Sequence, residues 1–141
     1  MFDLKDFGNL IFILKMCDDI EVYKEEMKII DILDSRMGLN AVLMNIMQIG
    51  EYTKKLSIEF RSLDREYWKS IAGLRDRIAH DYGGVDLEII EVVLREKIDE
   101  LIDKIFDILR DNKNSLEIKE FLFDKTFLEN FNSKKILLKN I

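Results

Sequence analysis

No proline occurs anywhere in these 141 residues. Proline breaks a helix from within, by removing a backbone donor and crowding the preceding turn, so a chain without it is free to run long helices. Glycine is also scarce, at 6 residues, and no stretch is rich in serine. Neither a linker-joined pair of domains nor a β-protein built on Pro/Gly turns suits such a chain. Its length suffices for one domain with a real core and is too short for two of ordinary size.

Apolar periodicity fills in the helices. Leu10, Leu14, Cys17, Ile20 and Tyr23 fall at helical spacing between about Leu10 and Met27, with acids and lysines between them. A second segment, capped by Asp34 or Ser35, carries Leu39, Val42, Leu43, Ile46, Ile49, Thr53 and Leu56 on one face. Gly50 sits inside it, at about 1 kcal/mol relative to alanine, and a close helix crossing is the physical reason expected for it. A third helix is expected from an Asp64 cap to about His80, closed by Gly83 and Gly84. After the Asp86 cap comes the clearest stripe: Ile90, Leu94, Ile98, Leu101, Ile102, Ile105, Ile108 and Leu109. The pattern predicts an all-α protein, an antiparallel bundle of four main helices over residues 1–111, with a C-terminal helical extension over 112–141. From Arg110 onward the net charge is +2, whereas the preceding part carries -8, so the tail is expected to meet something acidic and to extend a subunit interface.

Composition narrows the chemistry. One Cys excludes an internal disulfide and a multi-cysteine zinc site, and one His leaves little for a histidine-based metal centre. Neither metal nor cofactor is expected. A net charge of -6 argues against nucleic-acid binding by bulk attraction, though not against a focused local site. Lys15, Asp18 and Asp19 interrupt the most apolar N-terminal run, so no membrane span is expected, and the start lacks a secretory leader. The cytoplasm is the expected location. Cys17 reads as a small core residue, and Met37, Met44 and Met47 as core filling or a dimer face.

The single His lies in the most polar stretch, Gly73-Leu74-Arg75-Asp76-Arg77-Ile78-Ala79-His80-Asp81-Tyr82-Gly83-Gly84. At about 100° per residue, Asp76 and His80 are one turn apart on one helix face, while Arg75 is about 140° away and must reach with its long side chain. A helix C-terminus and the carboxylates of Asp76 and Asp81 favour the imidazolium, which equips His80 to act as acid as well as base. A guanidinium beside it suits a phosphate and the charge of a pentacovalent transition state. An RNA 2'-hydroxyl attacking its own phosphate needs no metal ion. Each residue also has a plainer role open to it: His80 as a capping cation, Arg75 in a salt bridge, Tyr82 as an aromatic closing the helix, and Asp76 as a solvated residue. Lys134, Lys135 and Lys139 read as a solvated tail or as an RNA or partner contact.

The pattern Arg75-x4-His80-x-Tyr82, preceded by Trp68-x2-Ile71-Ala72-Gly73-Leu74 and followed by Val85-Asp86, resembles the HepT-like branch of the HEPN superfamily. Ile49-Gly50-Glu51 and Lys55-Leu56-Ser57 fit the same branch, and the resemblance runs from about Leu10 to Leu109. It implies a helical homodimeric toxin of a type VII-like toxin–antitoxin pair, extending in some cases to a larger heteromeric complex. The implied activity is metal-independent endoribonuclease action on an RNA substrate by 2'-O-transphosphorylation. Arg75 and His80 would be the catalytic pair, and Asp76, where the branch often has Asn, a supporting residue. The implied antitoxin is an MNT-type nucleotidyltransferase that transfers AMP to Tyr82. An alternative from another class is a catalytically silent HEPN module that binds a nucleotide or the nucleotidyltransferase as a regulatory subunit.

Overall fold

The computed structural model describes residues 3–78, 84–115 and 131–139. Along the chain the helices are α1 (Leu4–Glu26), α2 (Ile29–Asp34), α3 (Arg36–Lys54), α4 (Ile58–Ser62), α5 (Arg65–Ala72), α6 (Leu74–Ile78), α7 (Leu87–Val92), α8 (Ile98–Asp111) and α9 (Lys134–Leu137). A π-helical turn, Val93–Lys97, joins α7 to α8. The fold is all-α.

α1 and α3 form the spine. They run antiparallel, as three contacts along their length show: Asn9 Nδ2 donates to the Lys55 carbonyl at 3.3 Å, Phe12 stacks on Tyr52 at 3.9 Å, and Asn45 Nδ2 donates to Asp19 at 3.1 Å. Leu10, Ile13, Leu14, Cys17 and Ile20 of α1 face Val42, Ile46 and Ile49 of α3 in one continuous core. α1 begins earlier than its apolar stripe, because Asp3 accepts the Asp6 N–H at 2.7 Å and caps it. Asp6 is itself buried and accepts both the Ser57 N–H at 2.7 Å and the Ser57 hydroxyl at 2.6 Å. These two bonds satisfy the carboxylate and tie the start of α1 to the entry of α4. Ser35, rather than Asp34, caps α3 by accepting the Gly38 N–H at 3.0 Å.

The third helix expected from Asp64 is not continuous. It is divided into α5 and α6 at Gly73, where ψ near 1° departs from the α-helical value, and the short α4, which the apolar pattern did not announce, precedes it. Asp64 stands at the start of α5 but does not cap it with its side chain; the carboxylate is drawn away to the ammonium of Lys104 on α8. A long-range charge contact has displaced a local cap.

The π-helical turn has a legible cause. Ile90, Leu94, Ile98 and Ile102 are all buried and recur every four residues, and each such step drifts about 40° from an ideal α-helix. A turn bonded i to i+5 rotates less per residue and returns the stripe to the core.

The described part of the extension folds back on its own chain. Phe131 and Ile136 join the core, while buried Asp18 of α1 accepts the Asn132 N–H at 2.9 Å and the Ser133 N–H at 2.8 Å. Glu25 accepts the Lys134 N–H at 2.6 Å. Lys135 and Lys139 pair with Asp99 and Asp103 of α8. The acidic partner expected for these two lysines is therefore this chain's own bundle. Cys17 is buried, as expected, and burial pushes its thiol far above the ordinary range, so it is inert packing. Met37, Met44 and Met47, by contrast, are 84%, 58% and 39% exposed and fill no core.

Candidate active site

α6 is a single short helix whose inward side is set by two residues. Leu74 and Ile78, one turn apart, are buried, which turns Arg75, Asp76 and Arg77 outward, and all three are exposed. Arg75 lies at 3.4 Å from the Asp76 carboxylate, their side chains 50% and 73% exposed. A pair so open to water is worth about 0–1 kcal/mol, so Arg75 keeps most of its capacity to bind an anion. The plain salt-bridge role is present, yet it is weak.

α6 is held on α3, and Gly50 makes this possible. A Cβ at Gly50 would lie 3.4 Å from the Ala72 carbonyl oxygen and 3.8 Å from that of Ile71. The end of α5 thus rests directly on the backbone of α3, immediately before the helix that carries Arg75. The close crossing expected from the sequence is found. On the far side of the motif, the Asp86 N–H donates to the Ile78 carbonyl at 2.9 Å, and the Asp86 side chain caps α7 by accepting the Ile89 N–H at 3.2 Å. Ile78 and Asp86, on either side of His80 and Tyr82 in the sequence, are therefore adjacent in space. Residues 79–83, with His80, Asp81 and Tyr82 among them, lie outside the described residues. Arg75 and Asp76 are placed; the other two residues expected to act, His80 and Tyr82, are not.

Two cavities flank this end of the bundle. One of about 250 Å³ is lined by Leu74, Arg77, Glu88, Ile89, Val92, Val93 and Lys97, on the π-helical side. The other, of about 440 Å³, is lined by Ile58, Arg61, Ser62, Arg65, Lys69 and Ala72. The basic residues of the second were not singled out from sequence, although Arg61, Arg65 and Lys69 recur every four residues and so signal one helical face. Among the described residues, no group of three or more His, Cys, Asp or Glu side chains is arranged to hold a metal ion, and no helix is long and apolar enough to cross a membrane.

With this geometry in place, comparison with known proteins decides the family. The family model described as Ribonuclease HepT-like matches residues 13–108. The chain belongs to the HepT-like ribonuclease family. The match covers α1 through nearly all of α8 and includes the whole Arg75–Asp86 stretch. A Caldanaerobacter subterraneus protein named "Putative RNase TTE0752" is 31% identical over 102 residues, covering 72% of this chain and 91% of that protein. The "Probable ribonuclease HepT" of Thermococcus cleftensis is 33% identical over 92 residues, 64% of this chain and 83% of that one. A Methanocaldococcus jannaschii protein named "Gamma-glutamylcyclotransferase and putative RNase MJ0434" is 34% identical over 117 residues. That alignment takes in 80% of this HepT-like chain and 52% of the relative, so the chain spans about half the length of that longer protein. No solved structure matches.

Proposed function

We propose that this HepT-like protein is the toxin of a toxin–antitoxin pair, a metal-independent endoribonuclease in which Arg75 and His80 cleave RNA by 2'-O-transphosphorylation. The observation that carries the proposal is the HepT-like match over residues 13–108, which encloses an Arg75-x4-His80-x-Tyr82 motif whose arginine stands exposed and weakly paired at the end of the bundle. His80 takes the proton of the 2'-hydroxyl, and the freed oxygen attacks the adjacent phosphorus. The bond to the 5'-oxygen breaks, and that leaving group takes up a proton from the imidazolium. The products are a 2',3'-cyclic phosphate and a 5'-hydroxyl. Arg75 holds the phosphate and balances the charge that accumulates on it in the transition state. A second copy of the chain would bring a second pair of these residues to the same cleft, which is why a homodimer forms part of the proposal.

Neutralisation is assigned to an MNT-type nucleotidyltransferase in the same cytoplasm, which transfers AMP from ATP to the Tyr82 hydroxyl with release of pyrophosphate. Bulk and negative charge two residues from His80 would exclude an RNA phosphate. The decisive experiment incubates the purified protein with single-stranded RNA in excess EDTA. Cleavage that ends in cyclic phosphate and disappears in His80→Ala is expected; intact RNA, or cleavage undiminished by that substitution, refutes the enzymatic proposal. The modification is read by intact mass after incubation with the nucleotidyltransferase and ATP. Steps of one AMP are expected, absent in Tyr82→Phe. A stable complex with that partner and no cleavage by any variant would favour the silent regulatory subunit instead.

A further inference from the structure

An acidic ribonuclease must gather its substrate's charge somewhere, and Arg75 with Arg77 is little to oppose a net charge of -6. In the described part of the basic tail, Lys135 and Lys139 are committed to Asp99 and Asp103. Several cations on the helices are likewise taken: Lys24 by Glu21, Lys54 by Glu51, Arg95 by Glu91, Lys97 by Glu100, and Lys104 by Asp64. The cavity along α4 and α5 departs from this pattern. Arg61, Arg65 and Lys69 all line it, and none has a carboxylate within ion-pair distance among the described residues.

No local acid pairs with them among the described residues. Asp64, between Arg61 and Arg65, is drawn to Lys104 on α8. Glu66 lies about 100° round the helix from Arg65, whereas Lys69 and Ala72 fall within about 40° of it. Arg61 is half-buried, and its Nε has no solvent exposure and no hydrogen-bond partner. An orphaned donor of this kind needs an explanation. Here the buried stem fixes the guanidinium at the cavity wall instead of leaving it to wave in solvent, at the cost of one unmade bond.

The support beneath this strip is rigid. Trp68 is buried, with Phe60 at 5.6 Å and Tyr67 edge-on at 5.2 Å between ring centres, and Lys104 lies over the Tyr67 ring at 4.7 Å. The three cations are thus carried on two helices locked to the bundle by aromatic packing. From Arg65 to Lys69 the axial rise is about 6 Å, close to the spacing of successive phosphates in an extended single strand. Ile58 and Ala72 supply apolar surface within the same cavity, suited to the faces of sugars and bases. The cavity ends at Ala72, three residues before Arg75.

We propose that Arg61, Arg65 and Lys69 form a phosphate-tracking groove that holds the RNA backbone beside the scissile bond and feeds it toward Arg75. The proposal rests on the ribonuclease reading, extending that site from the cleaved phosphate to the nucleotides flanking it. The occupant is single-stranded RNA, because the cavity gathers three cations without carboxylate partners beside apolar Ile58 and Ala72, on a protein whose overall charge is -6. Binding there is sequence-tolerant, since phosphates carry no base information.

The test uses the full chain in a His80→Ala background, so that a labelled oligoribonucleotide is bound and not cut, with fluorescence anisotropy read across a salt series. Arg65 and Lys69 are both exposed, so Arg65→Gln/Lys69→Gln should fold, which circular dichroism verifies. We expect affinity to fall about 10-fold or more at low salt. The slope of log affinity against log salt should shrink by about 1.4, that is, two phosphate contacts at about 0.7 each. Lys69→Gln alone, the milder change, should remove about half of that slope. Arg95→Gln/Lys113→Gln removes the same net charge on other elements and serves as the control. If the double variant matches this control in affinity and slope while the wild type still cuts RNA, the groove is refuted and the ribonuclease reading stands. If the groove variants lose RNA as expected but no chain with an intact His80 cuts it, the groove stands and the ribonuclease reading fails. If the chain ignores RNA and instead binds the nucleotidyltransferase through Arg65 and Lys69, the strip is a protein-docking surface and the groove is refuted.

Discussion

Gly50 offers the sharpest test of how the bundle positions its motif. A glycine in the middle of α3 costs about 1 kcal/mol relative to alanine, and it sits where the end of α5 passes over. An added Cβ would be 3.4 Å from the Ala72 carbonyl oxygen and 3.8 Å from that of Ile71, which is ordinary contact without overlap. Gly50→Ala is therefore expected to recover most of the helix penalty and stabilise the protein by about 0.5–1 kcal/mol. For a chain of this size that raises Tm by about 2–4 °C, with RNA cleavage unaltered. Gly50→Leu places further carbons against the same two carbonyls, which belong to backbone and cannot swing aside. Overpacking of that kind costs about 1–3 kcal/mol, and the strain falls on the segment that carries Arg75, so cleavage should fall along with stability. Denaturant unfolding and RNA cleavage, measured on the same preparations, provide both readouts. A loss of more than 1 kcal/mol in Gly50→Ala, or a Gly50→Leu protein as stable as wild type, would falsify the crossing geometry and with it the reason given for this glycine.

Three further predictions concern charges and caps. Burial first, offset in part by Lys24 and reinforced by the neighbouring Asp99, pushes the Glu21 carboxyl above the ordinary glutamate range; the folded protein then binds a proton more readily than the unfolded one, so this residue's contribution to stability worsens as pH rises through that window and stays unfavourable at neutral pH. Glu21→Gln should accordingly raise the denaturation midpoint at pH 7, and the gain should vanish below the unfolded glutamate range of about pH 4.3; a gain that grows on acidification contradicts it. Asp18→Asn weakens the buried acceptor of the Asn132 and Ser133 amides, and charge-assisted bonds of this kind are worth about 1.5–3 kcal/mol each, but the measured loss is capped by the docking energy of the tail, since beyond it the tail detaches; rapid proteolytic removal of the tail with the bundle intact is the expected signature. Asp86→Ala deletes the α7 cap at Ile89 and should cost about 0.5–2 kcal/mol of stability in urea titration.

Local chemistry was enough to place most of the helices. Asp86 announced its cap correctly, and the α3 cap was narrowed to Asp34 or Ser35, of which Ser35 makes it, because a cap is made within three residues of itself. The stripe from Ile90 to Leu109 identified a buried face because helical periodicity is a property of neighbours. Asp64 shows where such inference stops: it has the residue type of a cap and stands at a helix start, but a lysine 40 positions away competes for its carboxylate. The motif at Arg75 was likewise legible as a string, and the family match bears out the resemblance. What Arg75 faces was not legible.

By itself, then, the sequence determined that this chain is helical, where its longest helices run, and which family it joins, since proline absence, apolar spacing and a contiguous motif all act over short distances. Tertiary structure alone decided that the third helix breaks at Gly73, that the tail folds onto Asp18 from more than a hundred residues away, and that Lys135 and Lys139 are consumed within the chain. It also decided that Arg61, Arg65 and Lys69 remain without carboxylate partners among the described residues. Whether a charge is neutralised depends on which distant residue the fold brings within reach, and no local pattern encodes that.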